Sequence, residues 1–168
     1  MAADVRLLAE PFDAFAELAG FTAAYPEAGG LVSFLGQVRA GDAVEALELR
    51  HYEPLTLPGM EALALSALAR WPLAGLLAIH RCGEMQPGDP IVLVAAAARH
   101  RRDAFCAADF MMDHLKSESW FWKREKAGGS WRWVEPRDED RADLKRWQTD
   151  FADPFEQQQE AVAGEKTP

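Results

Sequence analysis

Two lysines, Lys116 and Lys123, lie close enough along the chain that a helix turning back into a strand would carry both amines to one cleft. Cations crowded together favour the neutral amine, which is the form that takes a proton or attacks a carbon. Upstream, His100 and Arg101 follow the apolar run IVLVAAAA, where a buried strand gives way to a helix. Free backbone N–H groups at a helix start, joined by an imidazole and a guanidinium, make a seat for phosphate. The helix dipole favours acids at that position, so a His-Arg pair there is a mismatch that a bound anion would explain.

Charge agrees with an anion site. Residues 99–132 hold eight Lys/Arg against five Asp/Glu, whereas the whole chain of 168 residues carries a net −9. A positive patch on an acidic body draws a small anion without the broad basic surface that binding a nucleic-acid backbone requires. The competing reading is that these charges merely solvate a helix face. Trp120, Trp122, Trp131 and Trp133 beside the bases raise single-stranded nucleic acid as a ligand, since bases stack on aromatic rings, but the overall acidity opposes it.

The elements that must position these residues can be read from pattern. Val5–Leu8 is a short apolar run ended by Pro11, and DAFAELAGF is an amphipathic helix. GLVSFLGQVR (30–39) and AVEALELRHYE, with Gly41-Asp42 between, are expected to pair as a hairpin, and Gly36 marks a bulge or a close backbone approach. Pro58 opens a helix that ends at Trp71-Pro72. GLLAIHRCGE and IVLVAAAA, separated by the turn MQPGDP, suit central strands.

The cationic segment begins as a helix whose apolar stripe is Phe105, Ala108, Met112 and Leu115, with Met111 alongside. WFWKREK and WRWVE, joined by AGGS, form a hairpin with Phe121, Lys123 and Glu125 on one side and Trp122 and Arg124 on the other. After Pro136 the spacing and charge order of RDEDRADLKRW suit a further helix. Strands and helices without a strict βαβ rhythm predict an α+β fold.

Bulk properties fit one domain over residues 1–147, followed by an acidic and flexible tail at 148–168. No apolar run approaches the ~18 residues of a membrane span, and the N-terminus lacks a basic region leading into an apolar core, so a soluble cytoplasmic protein is expected. Cys82 and Cys106 stand in no CxxC or Cys/His cluster, which argues against a disulfide framework and a structural metal. Cys106 is expected as a small buried hydrophobe.

The motifs FLGxVR (34–39), RHYE, ARWPL, IHRxGE, PGD, HRxxAF, MDxLK, FWKRE and WVExR follow one another over residues 5 to 147. In that order they resemble the catalytic large subunit of molybdopterin synthase, the MoaE family. The resemblance implies an α/β hammerhead-like core with an additional antiparallel hairpin or sheet subdomain. It also implies an activity: two sulfurs are installed on cyclic pyranopterin monophosphate as the dithiolene of molybdopterin. Each sulfur would arrive as a thiocarboxylate on the C-terminal glycine of a small ubiquitin-like subunit, and no metal or other cofactor is implied. The large subunit would form a homodimer, a heterotetramer once a small subunit docks on each protomer. This chain ends in GEKTP rather than Gly-Gly, so the donor is expected in trans.

By the same resemblance Lys116 and Lys123 are the catalytic pair. Lys116 would meet the thiocarboxylate or the reacting carbon and move protons, and Lys123 would stabilise developing negative charge. Arg39, His100, Arg101 and Arg137 match basic pocket residues, and Phe34 and Met112 match apolar positions near the pterin. The chain departs from the family pattern at Arg99 and Arg102, which flank the His-Arg pair, and at Trp120, where a proline commonly stands. A non-catalytic module that only receives the tail of a ubiquitin-like partner is the alternative on the same residues.

Overall fold

A computed structural model describes residues 2–39, 41, 44–117, 120–135 and 144–147. The chain divides into two units, Met1–Glu135 and Pro136–Pro168. In the second, only 144–147 are described, a turn in which the Trp147 N–H donates to the Leu144 carbonyl. The helix expected after Pro136 otherwise lies outside the described residues, as do Arg137 and the acidic tail.

The described part of the first unit runs β1 (Ala2–Leu8), α1 (Ala14–Ala24), β2 (Gly30–Gln37), β3 (Val44–His51), α2 (Glu53–Arg70), β4 (Leu73–Arg81), β5 (Gly83–Met85), β6 (Pro90–Ala98), α3 (Arg101–Ser117), β7 (Phe121–Ala127) and β8 (Ser130–Val134). It is an α+β unit with two four-stranded sheets, ordered β1-β4-β6-β2 and β5-β3-β7-β8. In the first sheet β1 is parallel to β4, while β6 runs antiparallel to both β4 and β2. The two apolar runs of the sequence are its centre, buried almost end to end, as strands covered on both faces must be.

Alternation assigns the two faces of this sheet. Leu77, Ile79, Leu93, Ala95 and Ala97 point to α1 and pack on Ala14 and Phe21. Asp13 starts that helix by accepting the Phe15 and Ala16 N–H groups at 3.0 Å, the usual role of an N-cap carboxylate. Arg6 then ties the helix to β1 through both oxygens of Glu17, at 2.8 and 2.6 Å. On the other face α2 packs against β1 and β4, and α3 packs against β6 and β2.

The strands at 30–37 and 44–51 do not form the expected hairpin. β2 pairs with β6, and β3 pairs with β5 and β7 in the second sheet. β6 offers β2 a fully apolar neighbour, and the register shifts at Gly36/Gln37, where the chain leaves the sheet. Val38 then bonds to the 86–89 turn instead, its N–H to the Asp89 carbonyl and its carbonyl to the Gly88 N–H. Arg81 supports that turn from below. Its buried guanidinium donates to Asp89 Oδ2 at 3.0 Å and to the Glu84 carbonyl at 3.3 Å, as a buried charge requires. The Asp89 carboxyl is held below its ordinary pKa by the Gln86 N–H and then by Arg81.

Two further expectations shift by a turn or a face. α2 opens at Glu53 rather than at Pro58, with a proline already in its first turn. Pro58 lacks only the N–H that would have met the carbonyl one turn back, and the helix continues through it. On α3 the buried side is Ala104, Ala107, Ala108, Phe110, Met111 and Leu115. Phe105 is 60% exposed and Met112 only half-buried, whereas Ala108, Met111 and Leu115 are buried as the stripe predicts. Cys106 is likewise half-buried, while Cys82 is buried.

The β7-β8 hairpin forms as expected, turning through Gly128 and Gly129 with φ of 57° and 74°. Only glycine and a few polar residues take that pair of angles easily.

Candidate functional site

α3 sets the geography of the site. It leaves the end of β6 at Ala98, and its first residue lies against Gly30, the residue paired with Ala98. It then returns along β6 and β2, so its last turn lies over the opposite end of the sheet. Lys116 occupies that last turn with an exposed side chain. Arg39, also exposed, follows β2 at the same end. Met112 stands one turn before Lys116, on the same side of the helix.

Phe34 lies in the middle of β2, opposite Val94, on the face that Gly30 presents to α3. It is 46% exposed rather than a core residue. Gly36 makes room for it, because a Cβ at Gly36 would stand 3.2 Å from the Phe34 ring and 2.8 Å from Val92 Cγ1.

Lys123 is carried by β7, between Leu49 of β3 and Val134 of β8. Its Nζ lies 2.9 Å from Glu125 Oε1, on the side the alternation predicts. The crowding of cations expected from the sequence is thus answered by a carboxylate beside this amine. Phe121, at the start of the same strand, stacks on the His80 ring at 4.0 Å between centroids, 16° from parallel. His80 is buried, with Nδ1 3.0 Å from the Arg81 carbonyl oxygen, and burial lowers its pKa to about 4. It is neutral at pH 7.

On the other side of β7, Arg124 forms an ion pair with Glu48 and lies over the Trp131 and Trp133 rings, 4.6 and 5.7 Å from their centroids. Burial pushes the Glu48 carboxyl upward, but Arg124 and Arg50 outweigh it and leave the pKa below its ordinary value. The tryptophans of β8 are therefore engaged by arginine, which clamps β3, β7 and β8 together beneath Lys123.

His100 and Arg101 lie at the other end of α3, both exposed, in a corner shared with Arg99 and Arg102. Gly29 and Gly30 press on this corner: a Cβ at Gly29 would stand 2.2 Å from the Arg99 carbonyl oxygen, and one at Gly30 would stand 3.0 Å from Arg101 Cα. At 1.5 Å per residue, Arg101 and Lys116 are about 22 Å apart along the helix. The chain therefore carries Arg39, Met112 and Lys116 toward one end of α3, with Phe34 in the middle of β2, and holds His100 and Arg101 at the other end. Arg137 lies outside the described residues.

Sequence reasoning missed Glu125 as the partner of Lys123 and His80 as the ring beneath Phe121. The first was available, since residues two apart on a strand share a face. The second depends on a contact between the two sheets that no local pattern encodes. Among the described residues no group of three or more His, Cys, Asp or Glu side chains stands together as a metal site, and no helix is long and apolar enough to cross a membrane.

The fold and these side chains define an α+β protein with Lys116 in the last turn of a helix and a guanidinium-imidazole corner at the start of the same helix. The MoaE protein family model matches residues 7–118, and the chain belongs to that family. It is 44% identical over 144 residues to the molybdopterin synthase catalytic subunit of Cereibacter sphaeroides, covering 85% of this chain and 99% of that one. The solved MoaE protein of Burkholderia ambifaria superposes with a TM-score of 0.73 at 43% identity, covering 87% of this chain and 98% of that one. A complex of subunits 1 and 2 of the molybdopterin-converting factor from Helicobacter pylori contains a chain with a TM-score of 0.70 at 18% identity, covering 79% and 91%, a likeness of fold alone.

Proposed function

We propose that this chain is a catalytic subunit of molybdopterin synthase and transfers two sulfurs to cyclic pyranopterin monophosphate. The donor is a thiocarboxylate at the C-terminal glycine of a small ubiquitin-like subunit, and the work takes place in the cytoplasm. The observation that carries this reading is the placement of Lys116 and Lys123 on elements with independent support, the last turn of α3 and the clamped strand β7. Relatives that share most of the chain are named as that enzyme. The Helicobacter pylori neighbour, solved with a second subunit of its converting factor, is consistent with a two-subunit assembly.

The chemistry suits these residues. Substrate phosphate and donor thiocarboxylate are both anions, and bringing them together in a low-dielectric cleft costs several kcal/mol unless cations face them. Each transfer forms a carbon–sulfur bond on the pterin side chain as a carbon–oxygen bond there breaks and its oxygen departs, protonated or as phosphate oxygen; water then cleaves the acyl–sulfur bond, leaving the sulfur on the pterin and the donor as a carboxylate. Lys116 moves the protons of that sequence, and Lys123, buffered by Glu125, stabilises the developing negative charge. Arg39 serves the anion at the same end, with Phe34 and Met112 against the pterin.

His100 and Arg101 join this site from a second copy of the chain. The helix keeps them about 22 Å from Lys116 within one protomer, so a homodimer is what allows phosphate seat and lysines to act on one substrate. Each small subunit then serves one composite site in a heterotetramer.

The test is reconstitution: purified chain, thiocarboxylated small subunit and cyclic pyranopterin monophosphate, with molybdopterin as the readout. The reading requires product from the wild type. A wild type that binds the small subunit but yields none would leave only a tail-binding module.

A further inference from the structure

We propose that Trp120, seated on α2, is a positioning residue that sets Lys123 relative to Lys116; the inference rests on the reading of those two lysines as the reacting pair. Trp120 stands in the short link between them, after α3 has ended and immediately before β7 begins.

The seat is built from two features of α2. At Gly59 the helix has no side chain, and a Cβ there would stand 2.6, 2.7 and 2.8 Å from Cε2, Cζ2 and Nε1 of the Trp120 indole. The ring therefore lies directly on helix backbone. Glycine inside a helix is about 1 kcal/mol worse than alanine, and Gly59 adopts no left-handed angle that would require it. What the position uses is the missing side chain.

The second feature is Thr56, fully buried one turn earlier. Its hydroxyl lies 3.0 Å from the Tyr52 carbonyl oxygen and 3.3 Å from that of Trp120, sharing its single proton between them. α2 thus holds both the ring and the backbone of Trp120. The next residue, Phe121, is held in turn by the His80 stack from β4, and Lys123 follows on the same face of the strand. Because α2 also packs against α3, one helix supports both ends of the link.

A seat that served stability alone would leave the chemistry untouched, and the two cases separate in a double-mutant cycle. Gly59→Ala pushes the indole out, while in a Trp120→Ala background the added methyl meets no ring. Gly59→Ala should lower kcat of the reconstituted synthase about tenfold with KM for cyclic pyranopterin monophosphate within about twofold, since misplacing a reacting group costs rate rather than binding. The melting point should hold or rise, because alanine favours helix. Added to Trp120→Ala, the same substitution should change kcat less than about twofold. Trp120→Leu, which has no ring, serves the cycle if Trp120→Ala does not fold.

A second readout needs no turnover. The acylation rate of Lys123 relative to Lys126, followed by peptide mass spectrometry, should change on Gly59→Ala only when Trp120 is present. Wild-type kcat and an unchanged labelling ratio in Gly59→Ala would overturn the proposal, as would equal effects in both backgrounds. An inactive wild type would instead count against sulfur transfer, and the labelling ratio would still decide whether Trp120 sets the position of Lys123.

Discussion

Lys116 stands at a helix end with its side chain exposed, so little of the core depends on it. Lys116→Ala should lower molybdopterin formation more than about 100-fold, as loss of a group that acts in the transition state does. Its melting point should stay within about 2 °C of wild type. A large drop in melting point would show that the lysine holds structure instead. Arg101→Ala should raise the dissociation constant for cyclic pyranopterin monophosphate by about tenfold or more, the scale of a lost charge-assisted contact. Lys123→Ala should raise it less, and equal constants from calorimetry would contradict the division of roles. His80 makes a different prediction. Its pKa falls from 6.5 unfolded to about 4 folded, so the unfolded chain binds more protons between those values. Its contribution is complete above pH 6.5, is lost as pH falls toward 4, and amounts to about 3 kcal/mol. His80→Phe keeps a ring against Phe121 and removes the proton site. Chemical denaturation from pH 7.5 to 4.5 should show a shallower loss of stability in that variant than in wild type, and parallel curves would refute the assignment.

Among the elements, what could be read from the sequence is what depends on neighbours along the chain. α1, the two central strands, the bulge at Gly36 and the Gly-Gly hairpin all follow from local pattern, and all are present. The pairing of β2 and β3 was not legible, because the choice of partner rests on β6 and β7, distant in sequence. The buried face of α3 was legible in part: Ala108, Met111 and Leu115 of the apolar stripe are buried, but Phe105 and Met112 turn outward and Ala104, Ala107 and Phe110 take their place. For the site, strand alternation was enough to set Glu125 beside Lys123, whereas the supports under Phe121 and Trp120 needed tertiary structure. Gly75 gives a test of packing on the face away from α3. A Cβ there would stand 2.1 Å from the Tyr25 ring, which itself packs on Phe21. Gly75→Ala should cost about 1–3 kcal/mol in denaturant unfolding, the usual range for overpacking, while activity per folded molecule is retained. An unchanged midpoint would contradict that packing.

At the scale of the whole molecule the length of α3 decides how the site is assembled. If His100, Arg101 and Lys116 serve one substrate, as proposed, the ~22 Å between the two ends of the helix calls for two copies, each lending its cationic corner to the lysines of the other. That arrangement predicts complementation between two inactive proteins. In a heterodimer of Lys116→Ala and Arg101→Ala subunits, one composite site carries both substitutions and the other carries neither. The decisive measurement is molybdopterin yield, with thiocarboxylated small subunit, from an equal mixture of these variants after subunit exchange. With substrate held well below the wild-type dissociation constant, wild type should be active, each variant alone should give about a tenth of its yield or less, and the mixture should recover about a quarter, since half the dimers are mixed and each holds one intact site. A mixture no more active than its components, beside an active wild type, would contradict the shared site, and a silent wild type would contradict the sulfur-transfer function itself.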